Sequence, residues 1–149
     1  DHCSYNFHGQ KDLGIDDFSK IPNGLPGIEH RAQLVYGLGV ASGKLTPSRM
    51  CALLSETPAR IFGLYPRKGS LQVGADADLV IWDPAVSQTI SVQNHHQNVD
   101  YTPYEGLTLP GQARQVLLRG KVVSDCGKVE ESASGIYLPR GGTKRLSKT

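Results

Sequence analysis

The sequence has few cysteines, few aromatic residues and little excess charge of either sign. Its three cysteines, Cys3, Cys51 and Cys126, are far apart and form no CxxC pair. An odd number of scattered cysteines argues against a disulfide framework or a zinc ribbon and favours a reducing, cytoplasmic setting. The formal net charge of +2 gives no indication of nucleic-acid or membrane binding. No apolar run approaches the roughly 18 residues that cross a bilayer.

Glycine and proline are plentiful. The sequence holds 17 glycines and 9 prolines, and only 38% of its residues are hydrophobic, which indicates a turn-rich chain. Residues 1–27 show little periodicity, and turn pairs such as Asn23-Gly24 interrupt them. Segments of this kind are functional or disordered, and four apolar anchors favour order here: Phe7, Phe18, Ile21 and Leu25. We therefore predict a long ordered loop.

Helical signals follow the loop. Apolar residues recur every three or four positions from Ile28 to Leu38, as one buried stripe of a helix requires. Three glycines weaken the end of that helix and mark its exit: Gly37, Gly39 and Gly43.

Two Thr-Pro pairs each predict a further helix start. In Thr46-Pro47 and Thr57-Pro58 the threonine can cap the first turn, and proline takes a position where a missing N–H costs nothing. Gly63 predicts the end of the second of these helices. The apolar residues between the caps then form the buried sides.

The period changes to that of strands after residue 66. The run DLVIWD, residues 78–83, predicts a strand covered on both faces. Further strands are predicted at 88–92, 114–120 and 121–125, with a tight turn at Gly120-Lys121. The basic, glycine-rich tail 141–149 is predicted to lack order. Because neither the helices nor the strands close a core alone, we expect the back end of a longer chain.

The opening Asp1-His2-Cys3 consists of three possible ligands for a divalent ion. Successive residues of a strand point to opposite faces, so only Asp1 and Cys3 could share one site. Two ligands do not hold a metal. A self-sufficient local metal site is therefore disfavoured, and packing is favoured over ligation for His2 and Cys3.

Other chemically suggestive residues have simpler interpretations. The pair His95-His96 is predicted to lie in a solvated turn. Asp76 and Asp78 suggest a cation site, but turn hydrogen bonds just before a strand explain them equally well. Two aromatic residues are predicted to lie in the core: Tyr65 and Trp82.

Three segments carry a resemblance to a known family. KIPNGLPGIEHR (20–31), ETPARIFGLYPRKGSLQVGADADLVIWDP (56–84) and NVDYTPYEG (98–106) resemble the C-terminal third of the dihydropyrimidinase and D-hydantoinase family of cyclic amidohydrolases. The similarity runs from Asp1 to about Gly135.

The resemblance implies an α/β fold, made of the C-terminal end of a (β/α)8 (TIM) barrel and part of a composite β-sandwich. Residues 1–65 would hold the end of barrel strand 8, the substrate loop and the last helices, and residues 66–140 the sandwich portion. Asp1 would lie at the C-terminal end of that strand, where this fold places catalytic groups. It would be the aspartate ligand of two divalent ions, expected to be Zn²⁺, whose other ligands, including a carboxylated lysine, lie outside this chain. The main chain at Asn23 would contact the cyclic substrate.

The implied activity is hydrolytic opening of dihydropyrimidine or hydantoin rings to N-carbamoyl amino acids, with Asp1 accepting and returning the proton. The full-length protein would be a homotetramer, and this segment alone would be inactive. Two alternatives stay open. One is a non-catalytic, dihydropyrimidinase-related scaffold or interaction protein, and the other is a sister enzyme acting on allantoin or dihydroorotate. PNGLPGIEHR favours the hydantoinase branch.

Overall fold

The chain passes from an irregular segment through short helices into an antiparallel sheet, so it is α/β, as predicted. A computed structural model describes residues 2–130 and 135–140. The predicted metal ligand Asp1 and the tail 141–149, with its predicted lack of order, lie outside the described residues.

The helices and strands are short, with the exception of two strands. The helical segment holds α1 (Arg31–Val35), a π-helical turn (Tyr36–Val40), α2 (Pro47–Cys51), a second π-helical turn (Ala52–Glu56) and α3 (Thr57–Ile61). The sheet holds β1 (Leu79–Thr89), β2 (Thr108–Leu118), β3 (Lys121–Asp125) and β4 (Lys128–Val129). The strands pair antiparallel in chain order.

The predicted loop before α1 is ordered and contains two 3₁₀ turns, Lys11–Gly14 and Phe18–Lys20. The second is capped by Asp17, whose carboxylate accepts the main-chain N–H of Ser19 at 3.1 Å. These turns could not be predicted from the sequence, because a single turn has no period to detect.

Two of the three glycines predicted to end the first helix lie inside it. Gly37 and Gly39 are buried in the π-helical turn that continues α1. A Cβ at Gly37 would lie 2.8 Å from Leu109, and one at Gly39 2.7 Å from Leu45. Gly37 therefore lets the helix approach β2 closely, and Gly39 makes room for the Leu45 side chain of the connection that follows. The chain leaves the helix at Gly43, where φ is +77°.

One of the two predicted Thr-Pro helix starts is confirmed. The Thr46 hydroxyl caps α2 by accepting the N–H of Arg49 at 3.1 Å. The start at Thr57 is wrong, because α2, the second π-helical turn and α3 form one continuous helix. Pro58 cannot donate an intrahelical bond, and the wider π-helical turn just before it accommodates that loss. The predicted end at Gly63 is confirmed by its φ of +68°.

The first strand is longer and more exposed than predicted. β1 continues through a register shift between Asp83 and Ser87, so the separate strand predicted at 88–92 is wrong. Val80 and Ile81 are 60% and 46% exposed, so DLVIWD is not covered on both faces by the described part of the chain. The apolar run correctly predicted a strand, but the layer that would cover it is not among these residues.

The hairpin turns are two-residue turns with positive φ at both positions. Arg119-Gly120 (φ 49° and 78°) joins β2 to β3, one residue earlier than the predicted Gly120-Lys121 turn. Cys126-Gly127 (φ 48° and 82°) joins β3 to β4, a strand that the sequence analysis missed. Such turns match the right-handed twist of a hairpin.

The buried core of the described residues is small and consists of four apolar side chains: Ala59 in α3, Leu109 in β2, and Ile90 and Val99 in the connection between β1 and β2. Its most enclosed large side chain is Ile90, at 1% exposure. Trp82 contacts Tyr36 with ring centroids 5.1 Å apart, and Tyr65 lies under the guanidinium of Arg60 at 3.5 Å. Trp82 and Tyr65 are half-buried, so the prediction that they lie in the core is confirmed only in part. No helix within the described ranges is long and apolar enough to cross a membrane.

Candidate functional site

The two segments predicted to form the site lie side by side. His2, next to Asp1 in the sequence, pairs with Leu25 in a parallel bridge, and the N–H of Cys3 donates to the Leu25 carbonyl at 3.1 Å. The N–H of Gly27 donates to Nδ1 of His2 at 3.2 Å. His2, although exposed, therefore helps to hold the loop in place.

Asn23 lies at an exposed bend between two carbonyls that are held by one lysine. The Lys11 ammonium donates to the carbonyl of Pro22 and, at 2.6 Å, to that of Gly24. Gly24 has a φ of +87°, which favours glycine. Among residues 2–130 and 135–140, nothing hydrogen-bonds to Asn23. Its main-chain groups are thus presented on a fixed bend.

Asp100 fixes the opposite end of the loop. Its carboxylate accepts the main-chain N–H groups of Phe7 at 2.6 Å and His8 at 3.0 Å. The Phe7 bond is the main reason that the pKa of Asp100 lies below its usual value, with the His8 bond contributing as well. The loop is therefore attached to the segment between β1 and β2 by a charged group.

Tyr101 continues this contact. Its ring meets that of Phe7 edge-on, with centroids 6.0 Å apart. Burial raises the pKa of the Tyr101 hydroxyl, and the charges of Asp100 and Cys3 raise it further. The start of the chain, the Phe7 region and the segment after β1 thus converge around one aromatic side chain.

A second cluster of polar side chains lies at the start of α1. Glu29, His30 and His95 each offer a ligand atom, and these atoms lie within 4.8 Å of one another. The His30 and His95 rings are nearly parallel, with an angle of 10° and centroids 6.3 Å apart. Glu29 also binds the ring Nδ1 of His96 at 2.8 Å. The prediction of a solvated turn is therefore wrong for His95, which packs against His30, while His96 is exposed.

The predicted local turn bonds of Asp76 and Asp78 are not the ones that their carboxylates form, since both bind groups elsewhere in the chain. Lys68 forms ion pairs with both carboxylates, and Asp78 accepts the N–H of Arg119 at 2.9 Å. Arg67 adds a further pair to Asp76 at 3.1 Å. Burial alone would lower the pKa of Lys68, but its bonds to Asp78 and Asp76 raise it overall. These carboxylates bind protein cations.

Sequence reasoning missed the residues that hold the site together. Lys11 lies in an irregular segment where no spacing marks it. Asp100 and Glu29 lie in NVDYTPYEG and PGIEHR, two of the segments that carry the family resemblance, so that signal could have drawn attention to them. Their partners are 67 to 93 positions away, beyond the reach of local patterns.

The known proteins that resemble this chain agree with one another in family. The sequence profile of the amidohydrolase family matches residues 13–123. The D-hydantoinase of Streptomyces coelicolor is 45% identical over 148 residues, which cover 99% of this chain and 32% of that protein. The dihydropyrimidinase of Rattus norvegicus is 45% identical over 141 residues, covering 94% and 27%. The crystal structure of D-hydantoinase from Bacillus sp. AR9 superposes with a TM-score of 0.92 at 44% identity, covering 98% and 32%.

The chain spans less than a third of the length of these relatives. The resemblance predicted from the three sequence segments is confirmed, since the similarity extends over nearly the whole chain in both sequence and structure. The match to the family profile covers most of the residues that build the loop, the helices and the sheet. The chain therefore belongs to the amidohydrolase family.

Proposed function

We propose that the full-length protein containing this chain hydrolyses the ring amide of dihydropyrimidines or hydantoins to N-carbamoyl amino acids. The observation that carries the proposal is the 44–45% identity over nearly the whole chain to a D-hydantoinase by sequence and to another by structure. The joined segments around His2 and Leu25 add support, because they bring the proposed catalytic and substrate-binding stretches together.

The proposed architecture is the C-terminal end of a (β/α)8 barrel in residues 1–65 and part of a composite β-sandwich in residues 66–140. Exposed apolar side chains on β1 support a covering layer from another part of the protein, since Val80 and Ile81 would otherwise face water. The assembly that we propose is a cytoplasmic homotetramer.

Asp1 is the proposed metal ligand and proton carrier. A carboxylate is a suitable donor for a divalent ion, and Nδ1 of the neighbouring His2 is already engaged by Gly27. Two bound Zn²⁺ ions would supply hydroxide at neutral pH and polarise the ring carbonyl. The part of this chain is to accept the proton of the attacking water on the Asp1 carboxylate and deliver it to the departing ring nitrogen.

Asn23 is the proposed substrate contact, through its main chain. The exposed bend and the fixed neighbouring carbonyls support this role, since rigid N–H and C=O groups can recognise the alternating donors and acceptors of a cyclic imide. Lys11 is then a positioning residue that acts through the bend.

Ring opening by the purified full-length protein tests the proposal. We expect dihydrouracil or hydantoin to be converted to its N-carbamoyl product, with activity removed by a chelator and restored by Zn²⁺. Conversion of allantoin or dihydroorotate instead would identify a sister enzyme. A folded, zinc-loaded protein that opens none of these rings would overturn the proposal and favour a scaffold.

A further inference from the structure

The cluster of Glu29, His30 and His95 plays no part in the proposed hydrolysis. We propose that these three side chains form a divalent-metal site suited to Zn²⁺. Neither Asp1 nor Asn23 belongs to this site, and the inference does not depend on the proposed activity. Two imidazoles and one carboxylate are a known zinc donor set that leaves a fourth position open to water.

The spacing of the donors suits an ion after a small closure. The three ligand atoms lie within 4.8 Å of one another. Bonds of about 2.0–2.1 Å in a tetrahedral site place ligand atoms roughly 3.3 Å apart. Binding of an ion would therefore draw the side chains of Glu29, His30 and His95 closer together.

His95 is held in the tautomer that a metal ligand needs. Its Nε2 lies 3.1 Å from the carbonyl oxygen of Val99, which can only accept, so Nε2 carries the hydrogen. This leaves a lone pair on Nδ1. That atom is buried and has no hydrogen-bond partner among the described residues. A second nitrogen bound to a main-chain carbonyl is the usual support of a ligating histidine.

His30 gives a second, independent indication of a ligand site. The residue is only 6% exposed, and its buried Nε2 has no hydrogen-bond partner in residues 2–130 or 135–140. Burial lowers the pKa of His30, which favours the neutral ring and its lone pair. Two buried imidazole nitrogens that find no partner among the described residues are unfavourable unless another group binds them, and their nearly parallel rings lie close enough for one ion to do so.

Glu29 supplies the negative charge. Its carboxylate is oriented by the main-chain N–H groups of His96 at 2.8 Å and Gln97 at 3.2 Å. Burial favours the neutral acid, but the bonds from His96 lower the pKa of Glu29 overall, so the group is ionised. The exposed His96 ring also binds this carboxylate and would compete with the ion for it.

A structural consequence follows from the fold. Glu29 and His30, but not His95, line a cavity of about 360 Å³ that also includes residues of the sheet. An ion at the proposed site would tie the start of α1 to the segment between β1 and β2, which also carries Asp100. The bound metal would therefore stabilise the connection that anchors the loop.

Metal content of the full-length protein tests the site. The protein is stripped with a chelator, reloaded with Zn²⁺, desalted and measured by atomic emission. We expect His30→Gln and His95→Gln each to retain one zinc fewer per chain than the unmodified protein. His8→Gln, which removes an exposed histidine outside the cluster, is expected to keep the full content. Equal zinc content in all four folded proteins would overturn the proposal.

Anomalous scattering at the zinc edge gives an answer that does not require the variants to fold. Crystals of the unmodified, zinc-loaded protein are expected to show a peak about 2.0–2.1 Å from Nδ1 of His95 and Nε2 of His30. Absence of that peak at saturating zinc would overturn the site. Because neither readout measures ring opening, failure here leaves the proposed hydrolysis standing, and failure of hydrolysis leaves this site standing.

Discussion

The Asp100 carboxylate accepts the main-chain N–H of Phe7 at 2.6 Å, across 93 positions of the chain. This bond joins the irregular segment before α1 to the connection between β1 and β2. An irregular loop has no ladder of its own to hold it, so a few such bonds decide its geometry. The order of the loop therefore depends on a residue far from it in sequence.

Replacing Asp100 by alanine is expected to loosen the loop locally. The amides of Phe7 and His8 lose their acceptor, so their hydrogen exchange in the full-length protein should become faster. Glu105→Ala is the matched control, because Glu105 accepts the N–H of Val92 at 2.7 Å in the same connection. That variant should speed exchange at Val92 alone. Unchanged exchange at Phe7 and His8 in Asp100→Ala would contradict the proposed anchor.

The two threonines before prolines should respond differently to substitution. Thr46→Ala removes the cap of α2 and is expected to lower the free energy of unfolding by about 1 kcal/mol. Thr57→Ala should cost clearly less, because Thr57 lies inside a continuous helix, where alanine is a good helix former. Urea unfolding of both variants measures the difference. An equal or larger loss for Thr57→Ala would mean that a helix does begin there.

The ion pairs of Asp76 predict a contribution to stability that depends on pH. Its bonds to Lys68 and then Arg67 hold the pKa of Asp76 below its usual 3.8. A lowered pKa in the folded state means that the contribution is present above 3.8 and is lost as the pH falls through the folded-state value. Asp76→Asn should therefore have a lower free energy of unfolding than the unmodified protein at neutral pH. This difference in stability, the gap between the two proteins, should disappear in acid. A gap that stays constant with pH would exclude this charge effect.

Local features of the fold could be predicted from the sequence where one turn or one strand decides them. The Thr46 cap and the Gly63 end depend on neighbouring residues only, and the strand within residues 78–83 is marked by its own apolar run, although β2 holds it in place. All three were predicted correctly. Gly37 and Gly39 were misread as helix-ending residues, because both lie inside the helix, where they make room for Leu109 and Leu45. The contact of Gly37 with Leu109 joins residues distant in sequence. Pro58 was misread as a helix start because a π-helical turn just before it lets the helix continue through α3.

The candidate site was foreseen only in part for the same reason. Family resemblance pointed to Asp1 and Asn23, but gave no reason to single out Lys11, which holds the Asn23 bend from 11 and 13 positions away. The contact between His30 and His95 joins the start of α1 to the connection between β1 and β2. No periodicity encodes such a contact, since it depends on the tertiary course of the chain.

The effect of Asp1→Asn on ring opening by the full-length protein tests the central claim most directly. Asparagine keeps the size of the side chain but cannot take up the proton. The account therefore predicts a folded protein whose turnover of dihydrouracil or hydantoin is lower by about a hundredfold to ten-thousandfold or more. Zinc content should fall less sharply, since the other proposed ligands remain, and Cys3→Ser should retain most of the activity. Near-normal turnover by folded Asp1→Asn would contradict the account.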